Sequence, residues 1–133
     1  MRDLTGQVII ITGASSGIGA ATAIQCAKAG MNLVLNARRE DKLRDVAAEV
    51  QRLGREVEIV IGDVSAPCMS QTMLDAAERA FGGFYAVFAN AGYGMEKPMQ
   101  KMTREQLRQM FDVNFFAGVE LCQAAANRLL DKK

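Results

Sequence analysis

Short apolar runs alternate with longer amphipathic segments four times along this chain, and this alternation is the feature that most restricts its fold. Strands are predicted at residues 8–11, 32–37, 57–61 and 84–89, and helices at 18–29, 43–53, 69–80 and 103–130. Strands joined through helices pair in parallel, because only crossover connections fit between them. We therefore expect a single α/β domain over residues 1–133. It would be a Rossmann-like, doubly wound parallel sheet of about four strands in the order 3-2-1-4, with helices on both faces.

Charge and residue counts exclude several classes of function. The 16 basic and 15 acidic side chains give a net charge of +1, which attracts neither nucleic acid nor an anionic membrane. The chain has no histidine and no Cys-x-x-Cys pair, so we expect no metal site and no histidine-dependent nucleophile. The widely spaced Cys26, Cys68 and Cys122 indicate buried thiols in a reducing compartment. The run at 8–11 is too short for a signal peptide or a membrane span, so we expect a cytoplasmic protein.

A glycine-rich segment follows the first predicted strand and begins the first predicted helix. It reads Thr-Gly-Ala-Ser-Ser-Gly-Ile-Gly over residues 12–19. Glycines allow a sharp turn and a close approach of backbone to a pyrophosphate, and the helix N-terminus adds N–H donors and a partial positive charge. A loop with three glycines is often only a tight turn, so the segment alone leaves both interpretations open. Its candidate cofactor-binding residues are Gly13, Ser15, Ser16, Gly17, Ile18 and Gly19.

The spacing Gly-x-x-x-Gly-x-Gly resembles the cofactor loop of the short-chain dehydrogenase/reductase family. The resemblance extends over about residues 4–122, because three further motifs agree with that family in identity and order. One departure is Ala89, where the family often carries a second asparagine. The matching residues beyond the loop are Asp63, Val64, Asn90, Ala91, Gly92 and Asn114.

The resemblance implies a role for each motif, and each also has a purely structural interpretation. Asp63 with its neighbour would lie at the adenine ring, but it could instead cap the third helix or form a turn. Asn90 and the turn after it would lie beside the cofactor ribose, or Asn90 could tie strand ends together. Asn114 would be a catalytic residue that holds a water in the proton relay. It falls on a helical stripe from Leu107 to Leu121, where a buried amide must find partners.

The end of the second predicted strand indicates which dinucleotide the chain would bind. NAD sites usually place a carboxylate about 20 residues beyond the glycine loop, where it takes both ribose hydroxyls and repels a 2′-phosphate. Here the strand ends in Arg38 and Arg39, and acidic residues come only at 40–41, in the first turn of the next helix. Guanidinium groups offer paired donors to a phosphate. We therefore expect Arg38, helped by Arg39 and by Ser15 or Ser16, to select NADP over NAD.

The family's active site also contains a serine and a Tyr-x-x-x-Lys pair, carried by a fifth strand and the helix after it. The present sequence ends in or just after the helix that carries Asn114. We therefore expect a domain incomplete at its C-terminus, a sheet truncated relative to the family's, and an inactive chain when it is alone. Tyr93 and Lys97 have the right spacing, but Gly94 opposes a helix there and the pair precedes Asn114. We interpret residues 93–99 as a loop flanking the substrate.

These motifs predict an NADP-dependent oxidoreductase that transfers hydride between NADP(H) and an alcohol or carbonyl substrate, represented by its cofactor-binding half. One alternative is a non-catalytic NADP-binding module or a fragment without activity. Another is a structural protein that kept the fold and lost the ligand. The expected partners are a small-molecule substrate and further copies of the chain, with no nucleic acid and no membrane. An apolar edge at 84–89 and a second apolar helix face at 115–119 predict that the isolated chain associates or has a disordered region.

Overall fold

The computed structural model of the chain describes residues 2–132, which form a parallel sheet between two layers of helices. The strands are β1 (Val8–Thr12), β2 (Asn32–Ala37), β3 (Val57–Ile61) and β4 (Ala86–Phe88). The helices are α1 (Gly17–Lys28), α2 (Glu40–Arg52), α3 (Met69–Phe81), α4 (Arg104–Phe111) and α5 (Ala117–Asp131). The strand order is β3-β2-β1-β4 and all neighbouring strands are parallel, which confirms the predicted doubly wound sheet.

Strand β1 lies at the centre of two hydrophobic cores, one on each face of the sheet. All five of its side chains are buried, as expected for a parallel strand covered on both faces. Because side chains alternate along a strand, Ile9 and Ile11 enter the core under α1 and α2, whereas Val8 and Ile10 enter the core under α3 and α5. The helices contribute Ala23, Ala27, Leu43 and Val50 to the first core, and Met73, Leu74, Ala77 and Leu121 to the second.

Strand β4 is shorter than the apolar run that predicted it. The prediction covered residues 84–89, whereas pairing with β1 extends only over Ala86–Phe88. The run ends early because the backbone N–H groups of Asn90 and Ala91 both donate to the hydroxyl of Thr12, 3.0 Å away, and this turns the chain out of the ladder. All three β4 residues are only half buried, and the strand lies at the edge of the sheet.

The last predicted helix is one helical segment interrupted by a turn of π-helix. Its predicted start is confirmed, since Thr103 and Gln106 form a reciprocal capping box. Helix α4 then leads into a π-helix at Asp112–Phe116 before α5 begins. The wider π-helical turn shifts the register of the residues that follow it, and the spacing of apolar residues in the sequence did not predict this turn. The prediction of one uninterrupted α-helix was therefore wrong in this turn.

The apolar stripe predicted along this helix is buried only at its C-terminal end. Leu121 is 1% exposed, but Leu107 is 37% and Phe111 is 59% exposed. Asn114 is also exposed, so the expectation that it lies buried on this stripe was wrong. The reason is that α4 and the π-helix pack against few of the described residues, whereas α5 covers the sheet beside α3.

Two of the three cysteines do not have the predicted burial. Cys26 is half buried beside the first core, and this burial raises the pKa of its thiol. Cys68 and Cys122 are exposed. Cys68 precedes α3 outside the core, and Cys122 follows the buried Leu121 and so points away from the sheet. Within residues 2–132, no helix has both the length and the apolar character needed to cross a membrane.

Candidate cofactor site

A cavity of about 350 Å³ lies at the carboxyl ends of the four strands, where doubly wound sheets bind their ligands. The loops that follow the strands bring together most of the residues predicted for cofactor binding. These are Gly13, Ser15, Ser16, Ile18, Arg38, Arg39, Asp63, Val64, Asn90, Ala91 and Gly92. The predicted residues outside the lining are Gly17, Gly19 and Asn114. The sequence analysis missed Asn36, Ala37, Gly62, Tyr93 and Val113, which also line the cavity.

The glycines after β1 allow three parts of the chain to pack closely. Gly13 has φ +63°, and a Cβ there would lie 2.9 Å from the Cα of Ala91. A Cβ on Gly19 would lie 2.2 Å from the carbonyl oxygen of Gly13 and 2.7 Å from Nδ2 of Asn90. A Cβ on Gly17 would meet nothing within 4 Å, so the backbone there is open to approach. Gly13 and Gly19 therefore shape the loop, and Gly17 leaves its surface accessible.

The first turn of α1 faces the cavity with few groups to neutralise it. Ser16 is the N-cap residue, but its side chain makes no capping hydrogen bond, and the first turn contains no acidic residue. Arg39 Nη2 instead donates to Ser16 Oγ at 3.3 Å, which brings a guanidinium group from the end of β2 to the start of α1. Helix N-terminus and arginine together give this part of the cavity a positive potential, suited to an anion.

Asp63 forms a turn at the end of β3. Its carboxylate accepts hydrogen bonds from the backbone N–H of Ser65 at 2.9 Å and from the Ser65 hydroxyl at 2.7 Å. These bonds, helped by the charge of Arg38, hold the pKa of Asp63 below its usual value. The carboxylate is therefore ionised at neutral pH and retains free acceptor capacity toward the cavity. Asp63 does not cap α3, because the N-cap residue is Cys68.

Asn90 ties the ends of β1 and β4 together. Its Nδ2 donates to the carbonyl oxygens of Thr12 and Gly13, at 3.2 and 3.4 Å. Thr12 is 3% exposed and accepts the two backbone N–H bonds that end β4. The structural interpretation of Asn90 therefore holds. Thr12 therefore supports the site without being among its predicted residues. Its position as the one polar residue at the end of the apolar strand β1 could have indicated this role.

Asn114 holds the backbone of Tyr93 rather than entering the cavity. Its Oδ1 accepts from the Tyr93 N–H at 2.9 Å, and its Nδ2 donates to the Tyr93 carbonyl at 2.7 Å. This carboxamide, which the π-helix presents, fixes the position of Tyr93 in the cavity wall. Asn114 itself borders a much smaller adjacent cavity together with Thr12 and Ala89.

The Tyr93 and Lys97 pair does not lie on a helix. Residues 91–98 have irregular backbone, and Lys97 Nζ donates to Gln106 Oε1 at 3.0 Å, which anchors this loop to the start of α4. Tyrosine and lysine at i and i+4 would share a face only on a helix. The predicted loop at 93–99 is therefore confirmed up to residue 98, and Met99 begins a short 3-10 helix, Met99–Lys101. That this loop flanks the substrate stays a prediction.

Known proteins resemble this chain in sequence and in fold. A 3β-hydroxysteroid dehydrogenase of Eggerthella lenta is 32% identical over 98% of the chain, and the match covers 51% of that protein. A short-chain type dehydrogenase/reductase of Mycobacterium marinum has a solved structure that superposes with a TM-score of 0.92, at 34% identity, over 98% of the chain and 53% of its own length. The chain thus spans about half the length of the relatives that it matches.

Two further solved structures contain a dinucleotide. One is a xylitol dehydrogenase bound to NAD+, with a TM-score of 0.90 and 26% identity over 98% of this chain and 51% of that one. The other is a short chain dehydrogenase of Burkholderia cenocepacia in complex with NADP, with a TM-score of 0.89 and 28% identity over 95% of this chain and 52% of that one. The sequence model of the short chain dehydrogenase family matches residues 7–133. Since that match covers nearly the whole chain and the fold agrees, this protein belongs to the short chain dehydrogenase family.

Proposed function

We propose that the chain is the cofactor-binding half of an NADP-dependent oxidoreductase, which transfers hydride between NADP(H) and an alcohol or carbonyl substrate. The observation that carries the choice of NADP is the end of β2. Arg38 and Arg39 line the cavity there, and the strand residue before them is Ala37 rather than a carboxylate. A 2′-phosphate would meet two cations and no repelling acid at this position.

The residues of the cavity fit both charged and uncharged parts of such a dinucleotide. The uncapped first turn of α1 offers backbone N–H groups to a pyrophosphate, beside the accessible Gly17. Asp63 is ionised and can accept from the exocyclic amine of adenine. When bound, the dinucleotide supplies the hydride or accepts it. The role of this chain is to bind and orient it, and Asn114 contributes by holding Tyr93 in the cavity wall.

Titration of the chain with NADPH and NADH tests this function directly. We expect saturable binding of both, with NADPH clearly tighter because only NADPH engages the arginines through its 2′-phosphate. Isothermal titration calorimetry at fixed ionic strength measures both affinities, and adding salt should reduce the difference between them. If neither NADPH nor NADH binds saturably, the proposed function is wrong.

A second candidate is a module that binds NADP without catalysing a reaction. It is favoured by the irregular loop at 91–98, which keeps Tyr93 and Lys97 off a common helical face. Of the catalytic set implied by the family, Asn114 is the member identified in this chain. An assay of NADPH oxidation with a panel of aldehydes and ketones separates the two candidates. Both candidates predict that the 133-residue chain alone is inactive, so the assay uses the product of the full natural reading frame. Binding without turnover by that product favours the module, whereas turnover favours the enzyme.

A further inference from the structure

Asn36 is a fully buried polar side chain near the end of β2, and the proposed function assigns it no role. Its exposure is 0%, and it shares a face of the strand with the core residue Val34. Its Nδ2 donates to the carbonyl oxygen of Val60 at 3.0 Å and to that of Gly62 at 3.2 Å. Its Oδ1 is buried and has no hydrogen-bond partner among the described residues.

The two carbonyl groups determine how the Asn36 carboxamide is oriented. Rotating it by half a turn would point Oδ1 at two acceptors, Val60 O and Gly62 O, and would lose both hydrogen bonds. The observed orientation therefore keeps the two donors satisfied at the expense of an unpaired oxygen. A buried oxygen without a partner is unfavourable, and leucine would fill a similar volume without one. The presence of an asparagine at this buried position is therefore explained by the two hydrogen bonds that its NH₂ group donates.

The NH₂ group holds the base of the loop between β3 and α3. Gly62 directly follows β3, donates from its own N–H to the Ala37 carbonyl, and is followed by the cavity residues Asp63 and Val64. The other side of the loop is also confined, since a Cβ on Gly62 would lie 2.4 Å from Cε of Met69. The path of the loop is therefore set by Asn36 on one side and by Met69 on the other.

We propose that Asn36 is a positioning residue for the adenosine half of the cofactor site. This inference rests on the proposed function, because it assigns the loops after β2 and β3 to the adenosine end of the dinucleotide. Asn36 acts through Gly62, whose carbonyl it fixes, and so determines where Asp63 and Val64 stand in the cavity. A side chain without two donors would fill the core but leave the loop free to move away from the ligand.

Asn32 provides a matched control on the same strand. It begins β2, and its Oδ1 accepts from Arg55 Nη2 at 3.0 Å and from the backbone N–H of Glu56 at 3.1 Å. It therefore ties β2 to the beginning of β3, just as Asn36 ties β2 to its end. Asn32 lies at the amino end of the strand, away from the cavity, so its loss changes stability without changing the loop at Asp63.

The experiment compares Asn36→Leu and Asn36→Ser with Asn32→Leu in the intact chain. Calorimetry gives the affinity of each variant for 2′,5′-ADP, the adenosine part of NADP, and competition against NADPH gives the affinity for reduced nicotinamide mononucleotide. We expect Asn36→Leu to weaken 2′,5′-ADP roughly tenfold, since two hydrogen bonds at the loop are lost, and to leave the mononucleotide unchanged. Asn36→Ser keeps one donor and should lie between wild type and Asn36→Leu. Asn32→Leu should bind both fragments as the wild type does.

Several results would overturn the proposal. Unchanged affinity of Asn36→Leu for 2′,5′-ADP would do so, and so would an equal loss for both fragments. If Asn36→Leu does not fold, Asn36→Ser decides, with a selective loss of 2′,5′-ADP affinity in support and wild-type affinity against. A wild-type chain that binds neither dinucleotide would overturn the proposed function, and this inference with it. Normal wild-type binding with unaffected Asn36 variants would remove only the role of Asn36.

Discussion

Arg38 and Arg39 both follow strand β2 and line the cavity, but they act on different parts of it. Arg39 reaches the hydroxyl of Ser16 across the glycine loop, whereas Arg38 lies close enough to Asp63 to influence its carboxylate. Arg39 therefore connects the loops after β1 and β2, and the charge of Arg38 acts on the carboxylate in the loop after β3. Within residues 2–132, Arg38 forms no ion pair with Asp63 or another carboxylate within 4.0 Å, so its guanidinium group can bind a phosphate.

Reversing the charge at residue 38 should change cofactor preference. In Arg38→Glu, a carboxylate would repel a 2′-phosphate and could accept from ribose hydroxyls. We expect NADPH to bind at least about tenfold more weakly, because a charge-assisted bond is worth about 1.5–3 kcal/mol, while NADH loses much less. Fluorescence titration of both dinucleotides measures the effect. Arg79→Glu makes the same charge change on the exposed side of α3 and should leave both affinities unchanged. Equal loss of both dinucleotides in Arg38→Glu would refute our account of cofactor choice.

Asp63 should make the stability of the fold depend on pH in the acid range. The Ser65 hydrogen bonds lower the folded-state pKa of Asp63 from its ordinary value of 3.8. The ionised carboxylate therefore contributes stability that is fully present above 3.8 and is lost as the pH falls through the lower folded-state pKa. Asp63→Asn should be less stable than wild type at neutral pH, and the difference should shrink in acid. Melting temperatures between pH 7 and pH 2.5 measure this. Asp45→Asn, at an exposed position on α2, is the control, and a difference independent of pH would contradict the prediction.

Helices α3 and α5 form the layer over one face of the sheet, and Arg128 links them through polar contacts, beside an ion pair of Lys132 with Glu78 at 3.4 Å. Arg128 on α5 donates to Asp75 at 2.7 Å and to Glu78 at 3.1 Å on α3, and also contacts Gln71. Its side chain is only 21% exposed, because it lies along the surface between the helices. Partly buried ion pairs of this kind are less screened than pairs in open solvent.

Removing this link should destabilise the helix layer. Arg128→Gln keeps helix propensity and an unbranched polar side chain, but it shortens that side chain and removes the charge, so we expect a loss of about 1–2 kcal/mol in the free energy of unfolding. Arg44→Gln is the matched control, because Arg44 pairs with Glu40 within α2 and its side chain is 63% exposed. That loss should be no more than about 0.5 kcal/mol. Urea denaturation measures both, and equal effects would show that the link between helices adds nothing beyond a surface pair.

Several large aromatic side chains around the π-helix are exposed, and so is part of the edge strand β4. Phe111, Phe115 and Phe116 are each more than half exposed, and the half-buried strand β4 ends the sheet without a further neighbour among the described residues. Soluble monomers rarely expose adjoining aromatic side chains of this size. An edge strand with free N–H and C=O groups adds a second route to association.

We therefore expect the 133-residue chain, when it is expressed by itself, to associate. Analytical ultracentrifugation should detect species larger than a monomer, and calorimetry should show a broad transition. The double variant Phe111→Lys, Phe115→Lys should shift the population toward monomer, because it places two charges on this face. Lys substitution at the exposed Leu130, near the end of α5, serves as a comparison at another exposed apolar position. A monomeric chain that melts sharply would contradict the prediction.

The sequence by itself determined the layered architecture and the place of the cavity. Apolar runs buried on both faces, such as β1, require parallel strands and crossover helices, so the order β3-β2-β1-β4 follows from local pattern and handedness. The glycine loop, the arginines after β2 and the motifs after β3 and β4 then identified most, but not all, of the residues that line the cavity, because the ends of parallel strands must meet at one edge. The capping box at Thr103 was equally local, since both of its hydrogen bonds lie within four residues.

Tertiary structure decided the features that depend on contacts between distant segments. Asn36 is read from the sequence as one polar residue in a strand, and only the position of the Val60 and Gly62 carbonyls gives its amide a role. The π-helix at Asp112–Phe116 is a second example, because a one-residue change of helical register leaves no periodic signal in the sequence. This change directs the Asn114 side chain toward Tyr93, 21 residues away, and the two form hydrogen bonds. Local sequence patterns determine where helices and strands form. The hydrogen-bond partners of buried polar side chains are determined only when those helices and strands pack together.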